Sequence, residues 1–308
     1  MKIEQKREIF LREFRKKYKK SKEFDKYCGP GIKKKIQRIL FNPHIYIPYI
    51  FWRLSLYPRN QRKIKLFFGK KLTIDIVDYD IFMFSQFGSL VYGGEKDLTE
   101  FFIKNLKEND IFYDVGANYG FYTYLALEFC QEVHSFEPIP NIYQALKSNN
   151  KNNPKVFINN FALSDKNKDF ILYSPKGKYT ACSTIIPEAA VIYKYNFGKQ
   201  IKIKAITLDT YLKSHNSPTV IKLDVEGAES LVIEGGKEFF KNNSPIIAME
   251  VWSKDKGGEI SMRAVEKLRE FGYQSYTIKE GELEKIDSDL SEVVLSYNLD
   301  GYNFIFKK

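Results

Sequence analysis

The 308-residue sequence is poor in the residues that most often announce a function. It has three cysteines, Cys28, Cys130 and Cys182, too far apart for a CxxC pair or a zinc spacing. An odd count argues against a disulfide framework and suits a reducing, cytoplasmic compartment. Histidine is equally scarce: His44, His134 and His215 complete the set, and His134 falls inside a strand pattern and reads as core. No uninterrupted apolar run reaches the about 20 residues that cross a bilayer. The opening stretch, MKIEQKREIFLREFRKKYKK, lacks the apolar segment of a secretory signal. No glycine loop is followed by a Walker lysine, so a phosphate cradle is not expected. Acid is scarce at one end only. Residues 1–70 hold 21 Lys+Arg against 5 Asp+Glu, a balance of +16, and the rest of the chain is mildly acidic at −5. That asymmetry points to a polyanionic surface met by one end of the molecule.

The basic quarter has helical patterning. Phe10, Leu11, Phe14 and Tyr18 recur at helical spacing, and CGPG (28–31) is expected to break that helix. Ile32, Ile36, Ile39 and Leu40 outline a second helix among Lys33, Lys34, Lys35 and Arg38. Residues 41–57, FNPHIYIPYIFWRLSLY, are aromatic and apolar but interrupted by Pro43, Pro48 and Arg53. One reading sets residues 1–57 on an anionic membrane surface, with Tyr46, Tyr49, Phe51 and Trp52 at the headgroup level. The other leaves the basic face solvated and packs the aromatic segment on the catalytic domain. The pattern leans to lipid for 1–40 and to packing for 41–57. Nucleic acid is a third partner for a basic, aromatic patch, but no nucleic-acid motif is present.

From about residue 108 strands and helices alternate. Strands are expected at 111–115, 132–137, 155–163, 219–225 and 245–252, with helices at 119–130, 140–150, 229–236 and 259–271 between them. YQSYTI and YNFIFK close the sheet, the latter antiparallel, and residues 166–206 form an insertion. The fold class expected is α/β, a Rossmann-like, doubly wound sheet of about seven strands over residues 71–308, preceded by a basic helical extension over 1–70.

The stretch DVGANYG (114–120) sits at the first strand-to-helix turn, where such folds bind nucleotides. Glu137 follows at the end of the second strand, placed to accept hydrogen bonds from ribose hydroxyls. Asp114, two residues before the first glycine, would repel a pyrophosphate and suit a ligand with an amino group and a sulfonium. That favours S-adenosylmethionine (SAM) over NAD. The strand ends also carry Asn160, Asp165, Asp224, Glu226 and Glu250. Asp224 and Glu226, spaced i, i+2, are expected to point to one side of an extended chain. Acids gathered in this way raise one another's pKa values, which lets one act as a base near neutral pH. Glu229, in the first turn of a helix, reads as structural. Lys222 reads as a strand residue with an exposed head.

DVGANYG, FEP (136–138), N-x-ALSD (160–165), LDTYL (208–212) and IKLDVEGAE (221–229) together resemble the FkbM family of SAM-dependent methyltransferases, over roughly residues 90–275. The resemblance implies a class I methyltransferase fold, SAM as methyl donor, and O-methylation of sugars in polysaccharides, glycolipids or natural products. It also implies that Asp114, Gly116, Ala117, Asn118 and Gly120 form the SAM loop, that Glu137 holds the ribose, and that Asn160 and Ala162 flank the adenine. Asp224, Glu226 and Glu250 would face the acceptor. Relatives often carry an acid followed by histidine on the fifth strand, and Glu250-Val251-Trp252 departs from that pattern. The base is therefore open among Asp224, Glu226 and Glu250.

The expected reaction is a direct displacement, with an acceptor oxygen held about 3 Å from the methyl carbon and in line with sulfur. A carboxylate takes the hydroxyl proton, Asp224 or Glu226 in the first instance. A divalent metal on Asp224 and a neighbouring acid is the alternative way to lower the hydroxyl pKa. The acceptor expected is a saccharide or lipid-linked saccharide, met at the cytoplasmic face of a membrane. A nucleic-acid methyltransferase is the rival reading. Against it, the chain has no Asp/Asn-Pro-Pro-Tyr for base amines and no Pro-Cys for cytosine, since Cys182 follows Ala181. The stretch KGKYTACST (176–184) is expected to shape acceptor choice.

Overall fold

The computed structural model describes all residues except 1, 27–31, 58–59, 77–78, 92, 176–181 and 193–197. The expected CGPG break and most of KGKYTACST lie outside the described residues. The chain divides into two compact units, 1–91 and 92–308.

The first unit carries helices Ile3–Asp25, Ile32–Phe41 and Pro43–Arg53, an antiparallel pair Arg62–Lys65 and Lys71–Ile74, and helix Tyr79–Phe87. The long first helix turns Phe10 and Phe14 inward, where both rings meet Phe67, at 6.1 and 5.3 Å. Pro48 does not end the third helix, which runs through it. Tyr46, Tyr49 and Trp52 stack in sequence along that helix, and Tyr49 and Trp52 also meet Phe82. Tyr46 and Trp52 are thereby buried rather than offered to a headgroup layer. No helix among the described residues is long and apolar enough to cross a membrane.

The second unit is built on one mixed sheet. Its strands are β1 (Ile111–Val115), β2 (Glu132–Phe136), β3 (Val156–Asn159), β4 (Val220–Leu223), β5 (Ile246–Trp252), β6 (Gln274–Lys279), β7 (Glu282–Lys285) and β8 (Gly301–Lys307). They lie in the order β7-β6-β8-β5-β4-β1-β2-β3. From β3 to β5 every pairing is parallel. β8 runs antiparallel between β5 and β6. The 3-2-1-4-5 order of β1 to β5 is that of a doubly wound sheet, which puts a topological switch point between β1 and β4. The class I SAM methyltransferase fold is thus present.

β1 and β4 are almost wholly buried, as central strands covered on both faces must be, and their apolar sequences follow from that. Tyr113, Phe136, Leu223, Met249, Phe304 and Phe306 belong to the main core, closed on one side by Ala264, Val265 and Leu268 of helix Gly258–Glu270.

Two expectations change. The sheet has eight strands rather than seven, because β7 adds a hairpin edge to β6. The expected third strand, 155–163, also breaks in two. Val156–Asn159 stays in the main sheet, whereas Ala162–Leu163 joins a small sheet with Lys168–Ser174 and Lys199–Ile206. Asn160 makes the bend between them, with its Nδ2 donating to the carbonyls of Glu137 and Pro138, 3.1 Å each.

Candidate functional site

The turn after β1 is shaped by close approach. Gly116 has φ +84°, and a Cβ there would lie 1.9 Å from the carbonyl oxygen of Asp224. Only glycine lets the ends of β1 and β4 come so near. The N–H groups of Gly116 and Ala117 both donate to the Phe136 carbonyl, at 3.1 and 3.0 Å, which fastens the turn to the end of β2. Asn118 takes φ +50° and Gly120 φ +86° before helix Phe121–Ala126 begins.

Glu137 completes this corner. One of its oxygens accepts the Asn118 N–H at 3.0 Å and the other the Ile139 N–H at 2.8 Å. Burial pushes its carboxyl up to about 7, against the pull of those two donors. One bond to each oxygen leaves a lone pair on each for a ligand hydroxyl. Ala162, expected beside the adenine, pairs with Ala205 in the small sheet and is not on a strand end of the main one.

A second group of side chains gathers at the ends of β1, β4 and β5. Lys222 is buried, not exposed-headed as the sequence suggests. Its register partner across β1/β4 is Asp114. The ammonium lies 2.9 Å from Asp224 Oδ2, 3.4 Å from the Gly116 carbonyl and 4.0 Å from Asp114 Oδ1. Burial works against the ammonium, but Asp224, Asp114 and Glu95 outweigh it and raise its pKa. Asp114 Oδ2 accepts from Thr123 Oγ1 at 2.6 Å. Burial raises the Asp114 carboxyl, opposed by Lys222.

Glu226 is not extended. β4 ends at Leu223, and Glu226 sits at φ +57° in a tight turn with Gly227 at φ +93°. The i, i+2 argument therefore fails for Asp224 and Glu226, although both still act on Glu250. Burial, and then the charges of Asp224, Glu226 and Glu95, push the Glu250 carboxyl well above the ordinary range. Trp252 Nε1 donates to its Oε2 at 3.2 Å. Gly301 on β8 makes room for this carboxyl: a Cβ there would lie 2.5 Å from Oε1. Glu229 is structural, as expected, but buried. Its Oε1 accepts the N–H groups of Val225 and Gly227, at 2.9 and 3.3 Å, and holds the turn that carries Glu226.

Sequence reasoning missed Glu95. It begins helix Glu95–Asn105, and Gly94 before it lets the helix start lie on β8, 3.1 Å from the Asn303 nitrogen as measured from an added Cβ. Glu95 accepts from the Tyr122 hydroxyl and from Asn303, and burial raises its carboxyl to about 7. The Gly93-Gly94 pair was the available signal for so close an approach. His134 lies in the core, bonded to Tyr211 and Glu132 at 2.7 and 2.6 Å. Among the described residues no group of three or more His, Cys, Asp or Glu is placed to hold a metal.

The sequence model of the methyltransferase FkbM domain matches residues 114–275. The chain is 30% identical over 146 residues to the hexuronic acid methyltransferase AglP of Haloferax volcanii, across 46% of this chain and 56% of that protein. It thus spans little more than half the length of that relative. Among solved structures, methyltransferase FkbM from Methylobacillus flagellatus superposes with a TM-score of 0.42 at 12% identity, over 66% of this chain and 44% of that one. TYW2 of M. jannaschii, in complex with AdoMet, gives 0.39 at 12% identity over 82% and 87%.

Proposed function

The chain belongs to the FkbM methyltransferase family, and from that premise we propose that it transfers a methyl group from SAM to a hydroxyl of a sugar. The observation that carries the reading is the meeting of two sites at one sheet edge: the glycine turn of β1, and the Lys222–Asp224–Glu250 group beside it.

The residues present fit SAM. Asp114 Oδ1 and Asn118 Oδ1 are buried with no hydrogen-bond partner among the described residues. These are acceptor atoms, suited to a cationic ligand rich in N–H and O–H donors. Asp114, Gly116, Ala117, Asn118 and Gly120 would line it, Glu137 would take the ribose, and Asn160 and Ala162 would flank the adenine. When bound, SAM supplies a methyl group already activated on a sulfonium.

The remaining task of the chain is to place an oxygen and remove its proton. We assign the proton to Glu250. Its surroundings raise its affinity for a proton, so its carboxylate is a stronger base than an exposed one. Burial raises that affinity most, and the charges of Asp224 and Glu226 add to it. Lys222 already engages Asp224 Oδ2, the position a divalent cation would need, so the proton transfer is assigned without a metal. The similarity to a hexuronic acid methyltransferase supports a saccharide acceptor, free or lipid-linked. The test is methyl transfer from tritiated SAM into fractionated extract of the native host. Alkali-stable label in saccharide is the expected result. Alkali-labile label would mean a methyl ester on a carboxylate and no need for a base, and label in nucleic acid would overturn the acceptor class.

A further inference from the structure

Residues 26–74 contain twelve Lys+Arg and no aspartate or glutamate. Within that stretch helix Ile32–Phe41 buries none of its residues. Ile32, Ile36, Ile39 and Leu40 stand at i, i+4, i+7 and i+8, one face of a helix. They are 76, 52, 43 and 68% exposed. Helix Pro43–Arg53 turns its aromatic side inward on Phe82, which leaves Ile47, Phe51 and Leu54 outward, again at i, i+4 and i+7. The two helices are joined at Asn42, whose N–H donates to the Arg38 carbonyl at 2.9 Å, and the Arg38 guanidinium lies over the Tyr46 ring at 5.0 Å. Exposed Lys33, Lys35 and Arg53 accompany the apolar side chains.

Grouped apolar exposure of this kind marks an interaction surface. Three occupants compete for it. A second copy would bring the same cations against these with no acid from 26–74 to offset them. Nucleic acid would use the cations and stack its bases on aromatic rings. Yet Tyr46, Tyr49 and Trp52 are stacked in sequence, the last two also against Phe82, and the exposed apolar residues, Phe41 and Phe51 apart, are aliphatic. An anionic bilayer answers both features: its phosphates meet the cations, and its acyl boundary takes up isoleucine and leucine.

We propose that the face formed by helices Ile32–Phe41 and Pro43–Arg53 docks on an anionic lipid bilayer, with Ile36, Leu40, Ile47 and Leu54 as inserting side chains. The contact is mainly aliphatic, unlike the layer of Tyr46, Tyr49, Phe51 and Trp52 that one of the two sequence readings offered. It is also distinct from the first helix, whose Phe10 and Phe14 are spent inside the unit. The proposal stands without the methyl-transfer reading, because its test reads no chemistry.

The test is flotation of the full chain with vesicles of phosphatidylcholine alone and with about one third phosphatidylglycerol added. The chain is expected to float only with the anionic vesicles, less so as salt rises. Leu40→Ser/Leu54→Ser and Lys33→Glu/Lys35→Glu change exposed residues, so folding, checked by circular dichroism, is retained. Each is expected to lower partitioning by about tenfold or more. Lys16→Glu/Lys19→Glu, on the first helix, is expected to leave it unchanged. No flotation of the unaltered chain overturns the proposal, as does loss in Lys16→Glu/Lys19→Glu with Leu40→Ser/Leu54→Ser unaffected. Salt-sensitive binding of single-stranded RNA lost in the Lys33/Lys35 variant, in place of flotation, would give the face to nucleic acid. A dimer seen by ultracentrifugation and dissolved by Leu40→Ser/Leu54→Ser would give it to a second copy.

Discussion

Lys222 interrupts an apolar strand, and its neighbours explain it. An ammonium buried between Asp224 and Asp114 compensates two carboxylates that the fold has taken out of water. From the sequence alone a lysine in a strand reads as a snorkelling side chain, because the carboxylate across the register is about a hundred residues away and gives no local sign. Lys222→Met should leave Asp224 and Asp114 uncompensated and lower unfolding stability by about 3 kcal/mol, read by urea denaturation. A loss well under about 1 kcal/mol would mean that the pair is solvated in solution. Glu250 is the complementary case. Glu250→Gln should lower kcat by about 10²–10⁴-fold with SAM affinity little changed in calorimetry. In the unaltered chain the rate should climb with pH as Glu250 gives up its proton, since its carboxyl is raised by burial and by Asp224, Glu226 and Glu95. A rate that falls over that range would assign the active form to the protonated acid.

At the scale of elements, legibility follows how local each cause is. The β1 turn was readable because its glycines are demanded by the backbone, and the backbone demand shows in the letters themselves. β7 was not. Its sequence, ELEK, is charged and short, as suits an exposed edge, and its only strong signal is the turn before it. Glu280 at φ +53° and Gly281 at φ +82° make a two-residue hairpin with both central residues left-handed, the I′ form that matches strand twist. Gly281→Ala should cost about 1–2 kcal/mol, because alanine is strained at this φ and the added Cβ must displace the Lys104 side chain from the Glu280 carbonyl. Thermal melting reads it, and an unchanged midpoint would show that the hairpin adds nothing to stability. The Pro43–Arg53 helix is hard to read for the opposite reason, since its letters carry a helix breaker and its cause is tertiary. Pro48 removes one hydrogen bond, but aromatic packing against Phe82 holds the segment helical.

Over the whole molecule, the buried acids set how stability depends on pH. Glu95, Glu137 and Glu229 are each raised to about 7 by burial. A folded-state pKa above the unfolded value means that the native state holds more protons between the two. Their contribution is full below the unfolded pKa and is lost as pH rises through about 7. The melting temperature should therefore fall from about pH 5 to about pH 7, and Glu229→Gln should flatten that slope. A midpoint that rises over the same range would show that these glutamates are ionised in the folded protein.

The place of β8 has a consequence for a shortened chain. It is the last sheet strand to be made, yet it lies between β5 and β6, and it brings both Gly301 beside Glu250 and Asn303 to Glu95. In the strand order β6 and β7 reach the rest of the sheet only through β8. A chain cut short of residue 301 therefore keeps β1 to β5 with the glycine turn and Glu137, and lacks the strand that flanks Glu250 and Glu95. If Glu250 is the base, such a shortened chain is expected to bind SAM in calorimetry and to show no methyl transfer.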